Sequence, residues 1–572
     1  MRWGPQPVAP GRTRFALWAP ALDALTLELE GAPPVPMIPA ADGWFETEAE
    51  AGAGARYRFR LPDGTAVPDP AARLQASGVH GWSVVPDTMD AAEDGWRGRP
   101  WEETVLQEVH AGVLGGFAGV AETLPSLAEL GITAIELMPI AGVSGSRNWG
   151  YDGVLPYALH EDLGSPEELR ALIDRAHALG ISVFLDVVYN HFGPDGNYLG
   201  SYAPGFFQAD VHTPWGGAID FGKEPVARFF LDNALHWLSE YRFDGLRFDA
   251  VHAIGDNGFL DRLAAEVRGA FPDRHIHLVL ENESNDAARL ERGFDAQWND
   301  DFHNVLHVLL TDEDQAYYQD FATEPAAKLA RCLAEGFIYQ GDPSPNHDGA
   351  PRGSASGHLP PTRFVSFLQN HDQVGNRALG ERLTVLVAPD RLRAATGLLL
   401  LCPQIPLLFM GDESGSQSPF LFFTDFHDEL ADAVCEGRRR EFAKFPAFAD
   451  PEARARIPDP NARETFLASR PEPGPDAEAW RTLYRDLLAL RRTHIVPDLR
   501  AARALGADTI GPKAVRAAWQ LGAQRLTLAI NLGDADVALA APEAAPLVVL
   551  GQGPSGGMLA PASFVAWLET VA

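Results

Sequence analysis

A chain of 572 residues and 62.0 kDa is too long for a single hydrophobic core, so it divides into roughly two to four domains around one large one. With 46% of its residues hydrophobic and 22% charged, the composition excludes a disordered chain. Seventy-eight acidic residues against forty-six basic ones leave a net charge of −32, which repels phosphate backbones and anionic membranes and excludes nucleic acid as a partner.

The N-terminal segment MRWGPQPVAP has no basic-then-apolar leader, and the most apolar stretch, TGLLLLCPQIPLLFMG, is interrupted by Pro403 and Pro406. Neither a secretion signal nor a membrane span is expected. Cys332, Cys402 and Cys435 are odd in number and widely separated, which predicts a reducing, cytoplasmic compartment. Over residues 1–95, short alternating runs such as RFALWAP, LTLELEG and ARYRFRLPDG, punctuated by Gly, Pro and Asp, predict an immunoglobulin-like β-sandwich.

Residues 96–494 have a different texture. Eight apolar runs, TVLQEVHA, TAIELMPI, SVFLDVVYN, GLRFDAV, IHLVLEN, FDAQWND, FVSFLQNHD and PLLFMGDE, alternate with helical segments, the number that closes a (β/α)8 TIM barrel. In SPEELRALIDRAHALG, Ser165 can cap a helix, Pro166 occupies its first turn and Gly180 stops it. A connection rich in Gly, Pro and aromatics, about residues 193–222 after the third strand, is too long for a plain linker and predicts part of a site wall. The helix AWRTLYRDLLALRRTH closes the barrel region, and AVRAAWQL and RLTLAINL mark a small β domain over residues 495–572.

In such a barrel the C-terminal ends of the strands face the site, so polar residues closing apolar runs are the candidates for chemistry. Arg247 and Asp249 are two apart and point the same way on a strand, which sets a guanidinium beside a carboxylate suited to nucleophilic attack. An ordinary strand-end ion pair is the competing reading. Glu281 closes the fifth run, where partial desolvation raises a carboxyl's pKa and makes it a proton donor; Glu283 has the same strand parity and is its rival. A separation of about 5 to 5.5 Å between nucleophile and donor would mean double displacement with retention. Asp372, with His371 before it, and His191 can anchor sugar hydroxyls, although a lone histidine at a strand end is more often structural. No close-spaced pair such as H-x-H occurs at these ends, so no catalytic metal is expected. Tyr151 and Trp149 in NWGYDGV and Trp215 in HTPWGG offer faces for pyranose rings, or are core residues.

The segments DVVYNH, GLRFDA, LVLEN and QNHDQ resemble, in order and spacing, the conserved regions of the alpha-amylase superfamily. By that resemblance Asp249, Glu281 and Asp372 are nucleophile, acid/base and transition-state stabiliser, while His191, Arg247 and His371 line the subsite of the attacked glucose. NWGYDGV is similar to a segment shared by glycogen branching enzymes and malto-oligosyltrehalose trehalohydrolases, both of which carry an N-terminal sandwich. QNHDQVGNRALGERL, PFLFFTDF, GRRREF and IPDPNARETF are similar to the trehalohydrolase family, whereas branching enzymes place HDE at the seventh strand.

The resemblance implies hydrolysis of the alpha-1,4 bond next to the terminal trehalose of malto-oligosyltrehalose, giving trehalose and a maltodextrin, with no cofactor. It implies that Tyr151, Trp215, His252, Gln373, Arg377, Phe423 and Asp425 bind substrate, and that a malto-oligosyltrehalose synthase supplies it. Two departures stand out: GDES at the eighth strand where GEE and an aromatic are usual, which touches a subsite contact at Asp412 and Ser414, and the doubled glutamates of ENES. A branching transferase, or a non-catalytic glucan-binding protein on the same scaffold, are the alternatives.

Overall fold

The computed structural model describes residues 2–87, 95–213, 216–255 and 257–570. Eight strands form a closed parallel barrel in chain order: Leu106–Val109, Ala134–Leu137, Ser182–Val187, Gly245–Phe248, His277–Leu280, Ala296–Trp298, Phe364–Ser366 and Ile405–Phe409. The eighth pairs back on the first, with Leu106 opposite Leu407. Seven of the strands lie inside the apolar runs, the eighth starts one residue ahead of its run at Ile405, and every strand residue is buried. Burial on both faces is why these runs are continuously apolar instead of alternating. The charged exceptions are placed by register: Glu108 lies opposite Glu136, and Asp186 opposite Arg247.

The helices cover the outside. Helix Pro166–Ala178 begins as its sequence dictates: the Ser165 hydroxyl accepts from the Glu168 amide at 3.2 Å, and the Ser165 amide donates back to the Glu168 carboxylate at 2.8 Å. Helices Glu224–Glu240, Pro389–Leu401 and Ala477–His494 bury their apolar faces on the barrel in the same manner. Among the described residues no helix is long and apolar enough to cross a membrane.

Ahead of the barrel, Gln6–Ala9, Arg12–Trp18, Trp44–Glu50 and Ile38–Pro39 form one antiparallel sheet, and a second is built around Thr26–Leu29, Arg56–Arg60 and Trp82–Val84. Trp3 fastens them to the barrel: its indole N–H donates to the Pro225 carbonyl at 3.0 Å, and its ring meets Trp44, Phe206 and Phe229. After the barrel, Arg503–Gly511, Ala514–Leu521, Gln524–Asn531, Ser563–Thr570 and Val548–Leu550 make a five-stranded antiparallel sheet. Its inner face lies on helix Pro389–Leu401, where a Cβ on Gly397 would stand 2.6 Å from the Phe564 ring. Only glycine permits that approach.

The connection after the third strand contains the short helix Leu199–Tyr202 and the antiparallel pair Phe207–Thr213 and Gly216–Ile219. Trp215, expected in the site wall, lies outside the described residues.

Candidate active site

The C-terminal ends of the third, fourth and fifth strands converge on one guanidinium. Arg247 is fully buried, its ring-facing side 4.1 Å from the centre of the Trp298 indole on the sixth strand. Its Nη1 donates to Asp186 at 2.6 Å and to Asp249 at 2.8 Å, and its Nη2 stands 3.8 Å from Glu281. A second donor fixes Asp249: the Asn190 amide group reaches both its carboxylate and its backbone carbonyl at 2.8 Å. Asp249 is thus held from two sides, Oδ1 by Arg247 and Oδ2 by Asn190.

Glu281 is in a different environment. Its carboxyl accepts from the Ala250 backbone amide at 2.6 Å, and its side chain is 16% exposed. Burial, reinforced by the charges of Asp249, Asp300 and Asp372, pushes its pKa well above the usual carboxylate range in spite of Arg247. Glu283 faces the rim at 57% exposure, where His252 and His347 each lie 3.8 Å away. Two glutamates of equal strand parity are separated because the strand ends at Leu280 and the chain turns outward after Glu281.

Asp372 sits in the short helix His371–Gly375, which Asn370 caps by accepting from the Asp372 amide at 2.9 Å. Its side chain is 45% exposed, with Asn376 donating at 3.2 Å and His371 at 3.4 Å. Burial opposes charge on both groups, yet His371 is held protonated between Asp372 and Glu108, and its cation in turn draws the Asp372 pKa down. The Glu108 contact is short, 2.5 Å to His371 Nδ1, with the His371 amide donating to the same carboxylate at 2.9 Å. Close packing sets this helix: a Cβ on Gly375 would lie 2.1 Å from Trp149.

Tyr151 forms the opposite wall. Its ring stacks on His371 at 5.0 Å between centroids, and its hydroxyl donates to Asp186 at 2.6 Å. Burial lifts Asp186 to about 6 despite Arg247, and keeps the Tyr151 phenol protonated. His191 donates from Nε2 to the Tyr151 carbonyl at 2.9 Å, and burial lowers its pKa, so it is neutral. His252, at the rim beside Glu283, is likewise lowered by burial. Gln373 is half-buried beside Asp372, with its side-chain oxygen buried and unpartnered among the described residues.

The remaining candidates are placed elsewhere. Phe423 is fully buried, packed against His110, Phe420 and Phe466, and gives no face to the cleft. Arg377 spends its guanidinium on Glu313, at 2.7 and 3.0 Å. Asp425 pairs with Arg147 and accepts from Ser146 at 2.7 and 2.8 Å, locking the loop that precedes Tyr151. Each of the three is engaged by neighbouring side chains: an aromatic in an apolar FF run is drawn to the core, and a charged residue near another charge is neutralised locally. At the eighth strand, Asp412 accepts from the Phe409 amide at 2.9 Å and from Gln369 at 2.6 Å, while Ser414 is buried on the Gly411 carbonyl.

Sequence reasoning missed Glu108, Trp298 and Asp300. Glu108 and Trp298 lie within strands, where nothing in the run marks them. Asp300 closes the sixth run and would have been found by applying the strand-end rule there. Among the described residues no group of three or more His, Cys, Asp or Glu side chains is arranged to hold a metal ion.

A closed barrel whose C-terminal mouth carries carboxyls held for opposite protonation states defines a glycosidase of the alpha-amylase superfamily. The alpha amylase catalytic domain family matches residues 79–203, and a domain of unknown function, DUF3459, matches residues 502–567. The malto-oligosyltrehalose trehalohydrolase of Deinococcus radiodurans is 41% identical over 86% of this chain and 83% of its own length. That of Saccharolobus solfataricus is 40% identical over 75% and 78%. A crystal structure from Salmonella typhimurium, assigned as an alpha amylase, superposes with a TM-score of 0.93 at 43% identity, covering 99% of each chain. The chain belongs to the malto-oligosyltrehalose trehalohydrolase family.

Proposed function

We propose that the protein hydrolyses the alpha-1,4 bond between a maltodextrin and its terminal trehalose, with retention, using Asp249, Glu281 and Asp372. The observation that carries this reading is that one guanidinium, Arg247, reaches both Asp249 and Glu281, while the two carboxyls have unequal surroundings. Asp249, held by Arg247 and Asn190, attacks the anomeric carbon. The glycosidic bond breaks as Glu281 gives its proton to the departing oxygen of trehalose. A water, deprotonated by Glu281, then attacks the same carbon, and Asp249 leaves. Asp372, beside cationic His371, binds hydroxyls of the reacting ring and strengthens those bonds as positive charge develops.

Tyr151, His191, Arg247 and His371 frame the reacting glucose in this proposal, and His252, Gln373 and Trp215 belong to the trehalose side. A cytoplasmic location and supply of substrate by a malto-oligosyltrehalose synthase are part of the same reading. The unpaired Cys332, Cys402 and Cys435 support the first.

Incubation with maltosyltrehalose and, separately, with amylose tests it. Free trehalose and maltose are expected from the first. Alpha-1,6 branches from amylose without any trehalose would transfer the assignment to a branching transferase.

A further inference from the structure

The sixth strand, Ala296–Trp298, brings to the cleft a carboxyl that the proposed chemistry leaves unused. Two aspartates follow in the first turn of helix Asp300–Thr311, and their surroundings differ. Asp301 is fully buried and spent on structure: it accepts from the Ile338 amide at 2.7 Å and from Asn285 at 3.0 Å, and Arg352 stands 3.3 Å away. Asp300 is only partly buried, and its carboxylate makes no hydrogen bond or ion pair among the described residues. Its carboxylate is thus open to a ligand in a way that its paired neighbour's is not.

Barrel order fixes which side of the substrate Asp300 meets. The sixth of eight strands stands across from the second, and the chain leaving the second strand carries Trp149 and Tyr151. Tyr151, on Asp186 and His371, closes one side of the cleft. Asp300 is on the other, between Glu281 on the fifth strand and Asp372 after the seventh, and its charge is felt at Glu281 just as that of Asp372 is felt at Asp300. Glu281 delivers its proton to the oxygen of the leaving sugar, so a group beside it and opposite Tyr151 faces that sugar.

We propose that Asp300 hydrogen-bonds the hydroxyls of the glucose on the leaving side of the scissile bond, and so selects what the enzyme will cut away. This rests on the reaction proposed above, in which that glucose is the first ring of trehalose. Burial and the nearby Asp372 lift the Asp300 carboxyl to about 7. Near neutral pH it therefore both donates and accepts, as a sugar hydroxyl does.

The test compares two substrates that share the reacting ring and differ only beyond it: maltosyltrehalose, and alpha-maltosyl fluoride, which has no leaving sugar. For Asp300→Ala the ratio of kcat/KM on maltosyltrehalose to that on the fluoride is expected to fall about 30-fold, since a lost hydrogen bond to a sugar hydroxyl discriminates strongly. Asp300→Asn, which keeps a donor and an acceptor, should lose less. Equal losses on both substrates, or no loss on either, would overturn the proposal, and turnover of the fluoride shows that the variant is folded. Should the wild-type protein hydrolyse the fluoride yet release no trehalose, the trehalose reading alone falls. The Asp300 ratio is then measured with maltopentaose, with the same expected fall and the same overturning results.

Discussion

Glu281 accepts a 2.6 Å hydrogen bond from the backbone amide of Ala250, the residue directly after Asp249, so the proposed proton donor is tied to the chain that carries the proposed nucleophile. Ala250 takes a left-handed φ of 42° to present that amide. The link fixes the two carboxyls relative to each other. Because burial raises Glu281 well above the usual carboxylate range, kcat/KM should hold level through weakly acidic pH and fall on the alkaline side as the proton is lost. Glu281→Gln should lower kcat on maltosyltrehalose by roughly 10² to 10⁴ and lower it less on alpha-maltosyl fluoride, whose leaving group needs no proton. Steady-state kinetics on both substrates decide it.

Asp300 gives a stability prediction with a definite sign. Its folded-state pKa of about 7 lies above the unfolded value, so folding favours the protonated form and the ionised form is a cost. That cost is absent below about pH 4, grows between about 4 and 7 and is complete above 7. Asp300→Asn should therefore be more stable than wild type by roughly 1 to 4 kcal/mol at pH 8, and equal to it at pH 4. Thermal melts at the two pH values read this out.

Glu313 has the opposite sign. Hydrogen bonds from His307 at 2.7 Å and from Arg377 draw its pKa down to about 2. Its stabilising contribution is complete above about pH 4.5 and is lost as the pH falls toward 2. The side chain is 39% exposed, so screening by water keeps the effect of Glu313→Gln near 1 kcal/mol at pH 7. The difference from wild type in urea titrations should shrink by pH 3.

Asp425 and Arg147 are both largely buried, and each is the other's charge partner. Removing one leaves the other uncompensated, so Asp425→Ala should cost about 3 kcal/mol. The double variant with Arg147→Ala should lose little more than either single one, a coupling that a thermodynamic cycle measures directly.

The barrel was legible because its strands are buried on both faces, and only a continuous apolar run satisfies that environment. The same reasoning singled out Asp249, Glu281 and Asp372 as candidates, since a charged residue closing such a run has only the mouth of the barrel to face. Glu108 was not legible: it lies within its strand, and only the fold brings it 2.5 Å from His371, 263 residues away. The partners of Phe423 and Arg377 were not legible for a related reason. Sequence shows that an aromatic or a guanidinium lies near the site, but whether it faces a sugar or a neighbouring side chain depends on packing partners such as Phe466 and Glu313.

Covalent trapping tests the central claim most directly. A maltosyl fluoride bearing a second fluorine at C5 of the reacting ring slows breakdown of the glycosyl-enzyme, because the electronegative substituent destabilises positive charge at the anomeric centre. Peptide mass spectrometry of the inactivated protein should find one maltosyl adduct, on Asp249, and none on the Asp249→Asn variant. An adduct on Glu281, Glu283 or Asp372, or equal labelling of Asp249→Asn, would contradict the account.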